Sequence, residues 1–174
     1  MCERAIIAIC KLGLHIEWIE FTDGDNTLTI DSPCGRVKCT IIINDGWVKE
    51  VNFEGVPSFD VAIDLKIIDD VGEIKFDIAY GGAFYVYVDM AKNDLDFTLT
   101  VKDYKDIQEI GIKIKIAIIN SALEIKHPFE RNLSYLYGTI FIDHLNKSTH
   151  VDSLTVYVFG DGQVDRSPTG SGVG

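Results

Sequence analysis

Short runs rich in Ile, Val and aromatic residues recur along this chain, and they constrain its fold more than any other feature. Such runs are typical of β-strands. They predict strands at residues 27–30, 36–43, 47–53, 61–68, 73–78, 83–88, 135–142 and 154–159. Asn44-Asp45-Gly46 adds a strong hairpin signal between the second and third runs. Most of the chain is therefore expected to form β-sheet.

Two segments interrupt this pattern with helical spacing. Residues 3–15 are apolar nearly all round, so we expect a helix that is buried on most sides. Residues 104–122 are ambiguous, because apolar residues recur at helical intervals while residues 112–116 alternate like a strand. The length of this segment and the absence of Gly/Pro clusters after Gly111 favour a helix. The fold class is therefore expected to be α+β or α/β.

Charge and composition argue against several kinds of partner. The 174 residues carry a net charge of −11, which disfavours nucleic acid because a phosphate backbone binds a basic face. No apolar run approaches a membrane span, and no secretion signal is visible. The four cysteines, at positions 2, 10, 34 and 39, lack zinc-type spacing, which favours a reducing, cytosolic location. No nucleotide loop or metal-ligand set occurs, so we expect no cofactor and no metal.

The segment at residues 165–172, Asp-Arg-Ser-Pro-Thr-Gly-Ser-Gly, has the features of a helix start. Ser167 suits the N-cap and Pro168 the first helical position. The glycines that follow leave the backbone amides of residues 169–172 uncovered, and such a turn can hold an anion. An ordinary helix start would account for the same residues. Asp165 and Thr169 add a carboxylate and a hydroxyl to the segment.

A second helix start lies at the other end of the chain, where Cys2 precedes an apolar run. A thiol in the first turn of a helix is biased toward thiolate, because the helix dipole favours the anion. Cys2 is therefore a candidate base or nucleophile. The alternative is an ordinary buried or terminal thiol.

Together these segments resemble the two active-site segments of the proline racemase family, and the likeness extends over essentially the whole chain. Five matches occur in the family's order: Met1-Cys2 with residues 5–8, residues 56–59, residues 77–85, His127-Pro128 and residues 165–172. Residues 135–140, Tyr-Leu-Tyr-Gly-Thr-Ile, are similar to the dehydratase branch of the family.

The resemblance implies a fold of the diaminopimelate epimerase type, with two similar halves of strands around a central helix. Residues 1–58 would be the remainder of the first half, starting at the helix of the catalytic cysteine. Residues 59–174 would be a partial second half, ending at the second active-site segment. The chain is thus expected to be a middle fragment that is not a stable monomer alone. A homodimer of the full-length form stays open.

The resemblance also implies a reaction. Cys2 would be the general base that takes the α-proton of a cyclic imino acid, and Thr169 stands where the family has a second catalytic cysteine. A racemase needs two groups of suitable pKa, and a threonine hydroxyl is a poor acid or base near neutral pH. The pair therefore indicates the trans-3-hydroxy-L-proline dehydratase type. The alternatives are a proline or hydroxyproline racemase or epimerase, and a non-catalytic remnant that binds a small imino acid.

Substrate contacts follow from the same likeness. Asp165 would hold the ring ammonium, the amides of Gly170 and Ser171 would hold the carboxylate, and His127 would lie in the pocket.

Two positions depart from the family's pattern. Glu3 and Arg4 stand where a glycine and a histidine are expected. Glu3 would raise the pKa of the neighbouring thiol. Arg4 could offset that effect or bind the substrate carboxylate itself.

Overall fold

The computed structural model describes residues 3–69, 72–144, 152–165 and 169–173, apart from the side chains of residues 3 and 69. The helices are α1 (Glu3–His15), α2 (Tyr104–Asn120) and α3 (Gly170–Val173). The strands are β1 (Gly24–Ser32), β2 (Gly35–Asn44), β3 (Trp47–Phe53), β4 (Phe59–Asp69), β5 (Gly72–Tyr80), β6 (Phe84–Asp89), β7 (Leu136–Asp143), β8 (Leu154–Phe159) and β9 (Gln163–Val164).

Every predicted strand and both long predicted helices are present, so the described residues form an α+β fold. The ambiguous segment at residues 104–122 is helical, as its length favoured. The sequence did not predict β9, because a two-residue strand is too short to show an alternating pattern.

The first sheet is an antiparallel meander of β1, β2 and β3. Asp45 and Gly46 both have positive φ (51° and 72°), as a two-residue type I′ turn requires, which confirms the predicted hairpin. Alternate residues of β2 point to one face of the sheet, where they form a core with Ile6 and Cys10 of α1: Val37, Cys39, Ile41 and Ile43.

The prediction that the first helix is buried on most sides is wrong for the described structure. Ile6 and Cys10 are buried against the first sheet, whereas Leu12 on the other side of α1 is 53% exposed. A single sheet can cover only one face of a helix. The helix therefore has one apolar face packed on the sheet and another apolar face that is exposed.

The second sheet has the order β4-β5-β6-β7-β8-β9, and its pairs are antiparallel except for β6 with β7. The chain crosses between these two parallel strands through α2, which packs on one face of the sheet with Ile107, Ile114 and Ile118 buried. The opposite face carries a smaller core of Tyr85, Ile140 and Tyr157. The start of α3 lies on this second face, since Ser171 contacts Tyr85 there.

Within the described ranges, no helix is long and apolar enough to cross a membrane.

Candidate active site

Asp165 is the centre of the candidate site. It comes directly after β9, and its backbone N–H donates to the carbonyl of Tyr157 on β8 at 3.0 Å. Its side chain is only 11% exposed. The second sheet therefore fixes the position of a carboxylate that has lost most of its contact with water.

Arg4 brings a positive charge to this carboxylate from the first turn of α1. Its Nη2 lies 3.0 Å from both Oδ1 and Oδ2 of Asp165. The Arg4 side chain remains 66% exposed. The ion pair thus connects α1, which packs on the first sheet, with the residue that follows β9 of the second sheet.

Thr169 completes what we term the Asp165 cluster, which consists of Arg4, Asp165 and Thr169. The Thr169 hydroxyl donates to Oδ2 of Asp165 at 2.6 Å, the short distance typical of a hydroxyl bonded to a carboxylate. The hydroxyl proton is therefore directed at Asp165, so the lone pairs of Oγ1 can act only as acceptors. Three of the predicted site residues come together here.

Gly170 and Ser171 follow Thr169 at the start of α3. Ser171 is buried, and its hydroxyl lies 3.4 Å from the Tyr85 hydroxyl. The amide of Gly172 donates to the Thr169 carbonyl at 2.9 Å, so this amide is not uncovered as the sequence had suggested. The predicted cap Ser167 and Pro168 lie outside the described residues.

Gly172 has a packing reason to be glycine. A Cβ at this position would lie 2.5 Å from Cε1 of Tyr157 and 2.7 Å from Cδ1 of Ile140. Both distances are well inside van der Waals contact. The glycine therefore lets the start of α3 lie close against the second face of the sheet.

Sequence reasoning missed two tyrosines that support this segment. The Tyr87 hydroxyl donates to the carbonyl of Gly172 at 3.1 Å, beside the contact between Tyr85 and Ser171. The spacing of two residues within β6 is the signal that could have placed both hydroxyls on one face. Burial raises the pKa of Tyr87 to about 12 and also raises the pKa of Tyr85. Both tyrosines are therefore neutral hydrogen-bonding groups near neutral pH.

His127 lies elsewhere. Its Nδ1 accepts from the backbone N–H groups of Glu130 at 2.9 Å and Phe129 at 3.3 Å, which leaves the ring proton of the neutral form on Nε2. Its ring packs against Tyr80 and Phe84, which belong to the core beneath α2. Phe84 and Tyr85 are neighbours in β6, so His127 and Ser171 lie on opposite faces of the sheet.

The geometry therefore does not bring His127 to the Asp165 cluster, and its pocket role stays a prediction. Cys2 and the side chain of Glu3 lie outside the described residues. Among the side chains that the structure describes, no group of three His, Cys, Asp or Glu residues is placed to hold a metal ion.

Chemically, the Asp165 carboxylate can pair with a cation next to a hydroxyl, as it does here with Arg4 and Thr169. A carboxylate removed from water needs a compensating charge and hydrogen bonds. Here Arg4 supplies the charge and Thr169 supplies a hydrogen bond.

Comparison with known proteins places this site in context. The chain matches the proline racemase family over residues 1–174. It is 42% identical to a trans-3-hydroxy-L-proline dehydratase of Colwellia psychrerythraea, an alignment that covers 99% of this chain and 48% of the relative. It is also 42% identical to the protein of that name from Bacillus thuringiensis subsp. konkukian, with 99% and 50% covered. The chain thus spans about half the length of these relatives.

The fold agrees with this match. A crystal structure of a hydroxyproline epimerase from Agrobacterium vitis, with bound trans-4-hydroxy-L-proline, superposes with a TM-score of 0.82 at 30% identity. The superposition covers 96% of this chain and 47% of the epimerase chain. By its sequence and by its fold, the chain belongs to the proline racemase family.

Proposed function

We propose that this chain carries part of the active site of a hydro-lyase that converts trans-3-hydroxy-L-proline to pyrroline-2-carboxylate. The observation that carries the proposal is the Thr169 hydroxyl bound to Asp165 at 2.6 Å, where a racemase would need a second ionisable group. Relatives that are 42% identical and named trans-3-hydroxy-L-proline dehydratase support the same reaction.

In the proposed reaction, Cys2 as thiolate takes the α-proton. The C–H electron pair forms a double bond to the neighbouring ring carbon, and the 3-hydroxyl leaves with its bonding pair. It becomes water by taking up one proton, which balances the proton that Cys2 removed. The enamine that results tautomerises to the cyclic imine. Thr169, oriented by its bond to Asp165, assists or orients the departing hydroxyl.

The remaining residues would bind and polarise the substrate. Asp165 would accept the ring ammonium, and the amides of Gly170 and Ser171 would hold the carboxylate. Removing an α-proton pushes negative charge onto that carboxylate, so fixed donors stabilise the charge as it develops.

A turnover assay tests the proposal. A longer form of the protein, with the length of the curated relatives, is mixed with trans-3-hydroxy-L-proline, and formation of the cyclic imine is followed. We expect imine to accumulate. Solvent deuterium entering recovered L-proline without any imine would instead support the racemase alternative and contradict the dehydratase.

The Arg4–Asp165 ion pair favours a second candidate, a non-catalytic protein that binds a small imino acid or its analogue. The pair occupies the carboxylate that the substrate ammonium would need. Calorimetry with pyrrole-2-carboxylate, a planar mimic of the α-carbanion, separates the two candidates. Binding without turnover supports the second, and turnover by the 174-residue chain contradicts it.

We also propose a reducing, cytosolic location, which is supported by the free thiols of the three cysteines that the structure describes, Cys10, Cys34 and Cys39. A homodimer of the longer form remains part of the proposal. Size-exclusion chromatography of that form with light scattering would decide its oligomeric state.

A further inference from the structure

Asp165 is a carboxylate that requires a cation. Its side chain is almost entirely removed from water, and a charge in that position is costly unless it is paired. The chain meets this need itself, because Nη2 of Arg4 contacts both carboxylate oxygens at 3.0 Å. A ligand ammonium that binds Asp165 therefore competes with Arg4 for these oxygens.

The Arg4 side chain has room to move away from Asp165. Its side chain is 66% exposed and extends from the first turn of α1. Within the described residues, only its Nη2 has a hydrogen-bond partner in the protein, so Nε and Nη1 can still donate to an anion. One side chain thus pairs with the largely buried carboxylate and keeps N–H groups that can donate to an anion.

We propose that Arg4 sets the charge preference of this site by competing with a ligand ammonium for Asp165. A ring imino acid, which is zwitterionic, competes through its ammonium with Arg4 for the Asp165 carboxylate. A ring carboxylate without a charged nitrogen leaves the pair intact and takes its hydrogen bonds from the free N–H groups of Arg4. The inference rests on the proposed function, since it concerns the ligand of the same site.

Two ligands of nearly equal shape isolate this effect. L-Proline and cyclopentanecarboxylate differ in that a ring NH₂⁺ of the first is a CH₂ in the second. Calorimetry gives the ratio of their dissociation constants for the unmodified chain and for Arg4→Ala. We expect the dissociation constant of L-proline, divided by that of cyclopentanecarboxylate, to fall at least about tenfold in the variant. The reason is that the ammonium of L-proline no longer competes with Arg4, and cyclopentanecarboxylate loses the hydrogen bonds that Arg4 donates.

Arg36→Ala is the matched control. Arg36 also pairs with an aspartate, Asp31 at 2.8 Å, but both side chains are exposed and belong to the β1–β2 hairpin. The ratio should stay within about twofold of the unmodified chain, as for an ordinary surface pair. An unchanged ratio in Arg4→Ala, or no binding of either ligand to the unmodified chain, would overturn the proposal.

A second variant tests the proposal even if Arg4→Ala fails to fold. In a full-length dehydratase relative that carries the family's histidine at the position aligned with Arg4, replacing that histidine by arginine should raise KM for trans-3-hydroxy-L-proline more than it raises the inhibition constant of cyclopentanecarboxylate. Equal changes in both constants would contradict the competition. The proposed function is tested separately. If no imine forms but the ratio of dissociation constants still depends on Arg4, the dehydratase proposal is refuted and the charge preference is not.

Discussion

Replacing Gly111 by alanine sets two opposite effects against each other in the middle of α2. A Cβ at this position would lie 2.8 Å from both Cβ and Cγ2 of Val158 and 3.0 Å from Cγ1. The two shorter distances are at least about 0.7 Å below the optimal carbon–carbon separation. Val158 is buried on β8 and, being β-branched, has little rotamer freedom with which to move away. We place the overpacking cost at about 2–3 kcal/mol.

The gain in helix propensity from glycine to alanine is about 1 kcal/mol. The net expectation is therefore a loss of about 1–2 kcal/mol in the free energy of unfolding, measured by urea denaturation at low protein concentration. Val158→Ala should rescue the variant, so that the double variant is more stable than Val158→Ala alone. A coupling of about 2 kcal/mol between the two sites would identify the contact as the cause.

Gly55→Ala is the control, because nothing lies within 4 Å of the Cβ that it adds and its φ is not positive. Its effect should stay within about 0.5 kcal/mol. If Gly111→Ala instead stabilises the protein by the full propensity gain, α2 does not pack against β8 as closely as described. The packing of β8 would then be an unreliable guide to Asp165, whose amide bonds to that strand.

Three further predictions concern pH, the candidate site and association. Burial, with Cys39 alongside, raises the pKa of the Cys10 thiol from 9.0 to about 11. Because the pKa is raised in the folded state, this stabilisation is complete below pH 9 and is lost as the pH rises toward 11. The free energy of unfolding, measured in urea, should therefore decline between pH 9 and 11, and the decline should be smaller in Cys10→Ala. In a full-length active form, Thr169→Val removes the hydroxyl that donates to Asp165 and should lower kcat for imine formation about 10²-fold. Thr169→Ser should keep most of the original kcat. A kcat of Thr169→Val equal to that of the unmodified protein would contradict the role of the hydroxyl in the reaction. The exposed apolar face that includes Leu12 and Ile16 should make the chain self-associate, and replacing both by glutamine should move its size-exclusion profile toward monomer. A sharp monomer peak from the unmodified chain would speak against that expectation.

The elements of this fold are predictable from the sequence because each depends on a local pattern. In β2, alternate residues from Val37 to Ile43 are buried, which is the period of two that the sequence displays. In α2, the buried Ile107, Ile114 and Ile118 keep the helical spacing that competed with a strand-like alternation. The length of the segment decided between the two periods, since strands are rarely so long.

Features that depend on the neighbours of an element could not be predicted in the same way. The sequence shows that α1 is apolar nearly all round, but not that one sheet covers it on one face only. Likewise, the glycine at position 172 suggested open amides, whereas it lies against the Tyr157 ring. In both cases the sequence displays the pattern but does not identify the neighbouring element.

In the candidate site, too, local features are predictable from the sequence, whereas contacts between distant elements are not. Arg4, Asp165 and Thr169 each belong to a short motif, and Thr169 lies only four residues from its partner Asp165. Arg4 and Asp165 are 161 positions apart, and no periodicity relates them. Their pairing exists because α1 and the end of β9 meet in the folded chain. The departure from the family's pattern at position 4 therefore acts on the carboxylate that would hold the substrate ammonium, in addition to any effect on the neighbouring Cys2. That is why the charge of the ligand, more than its ring shape, is the property by which this site should be tested first.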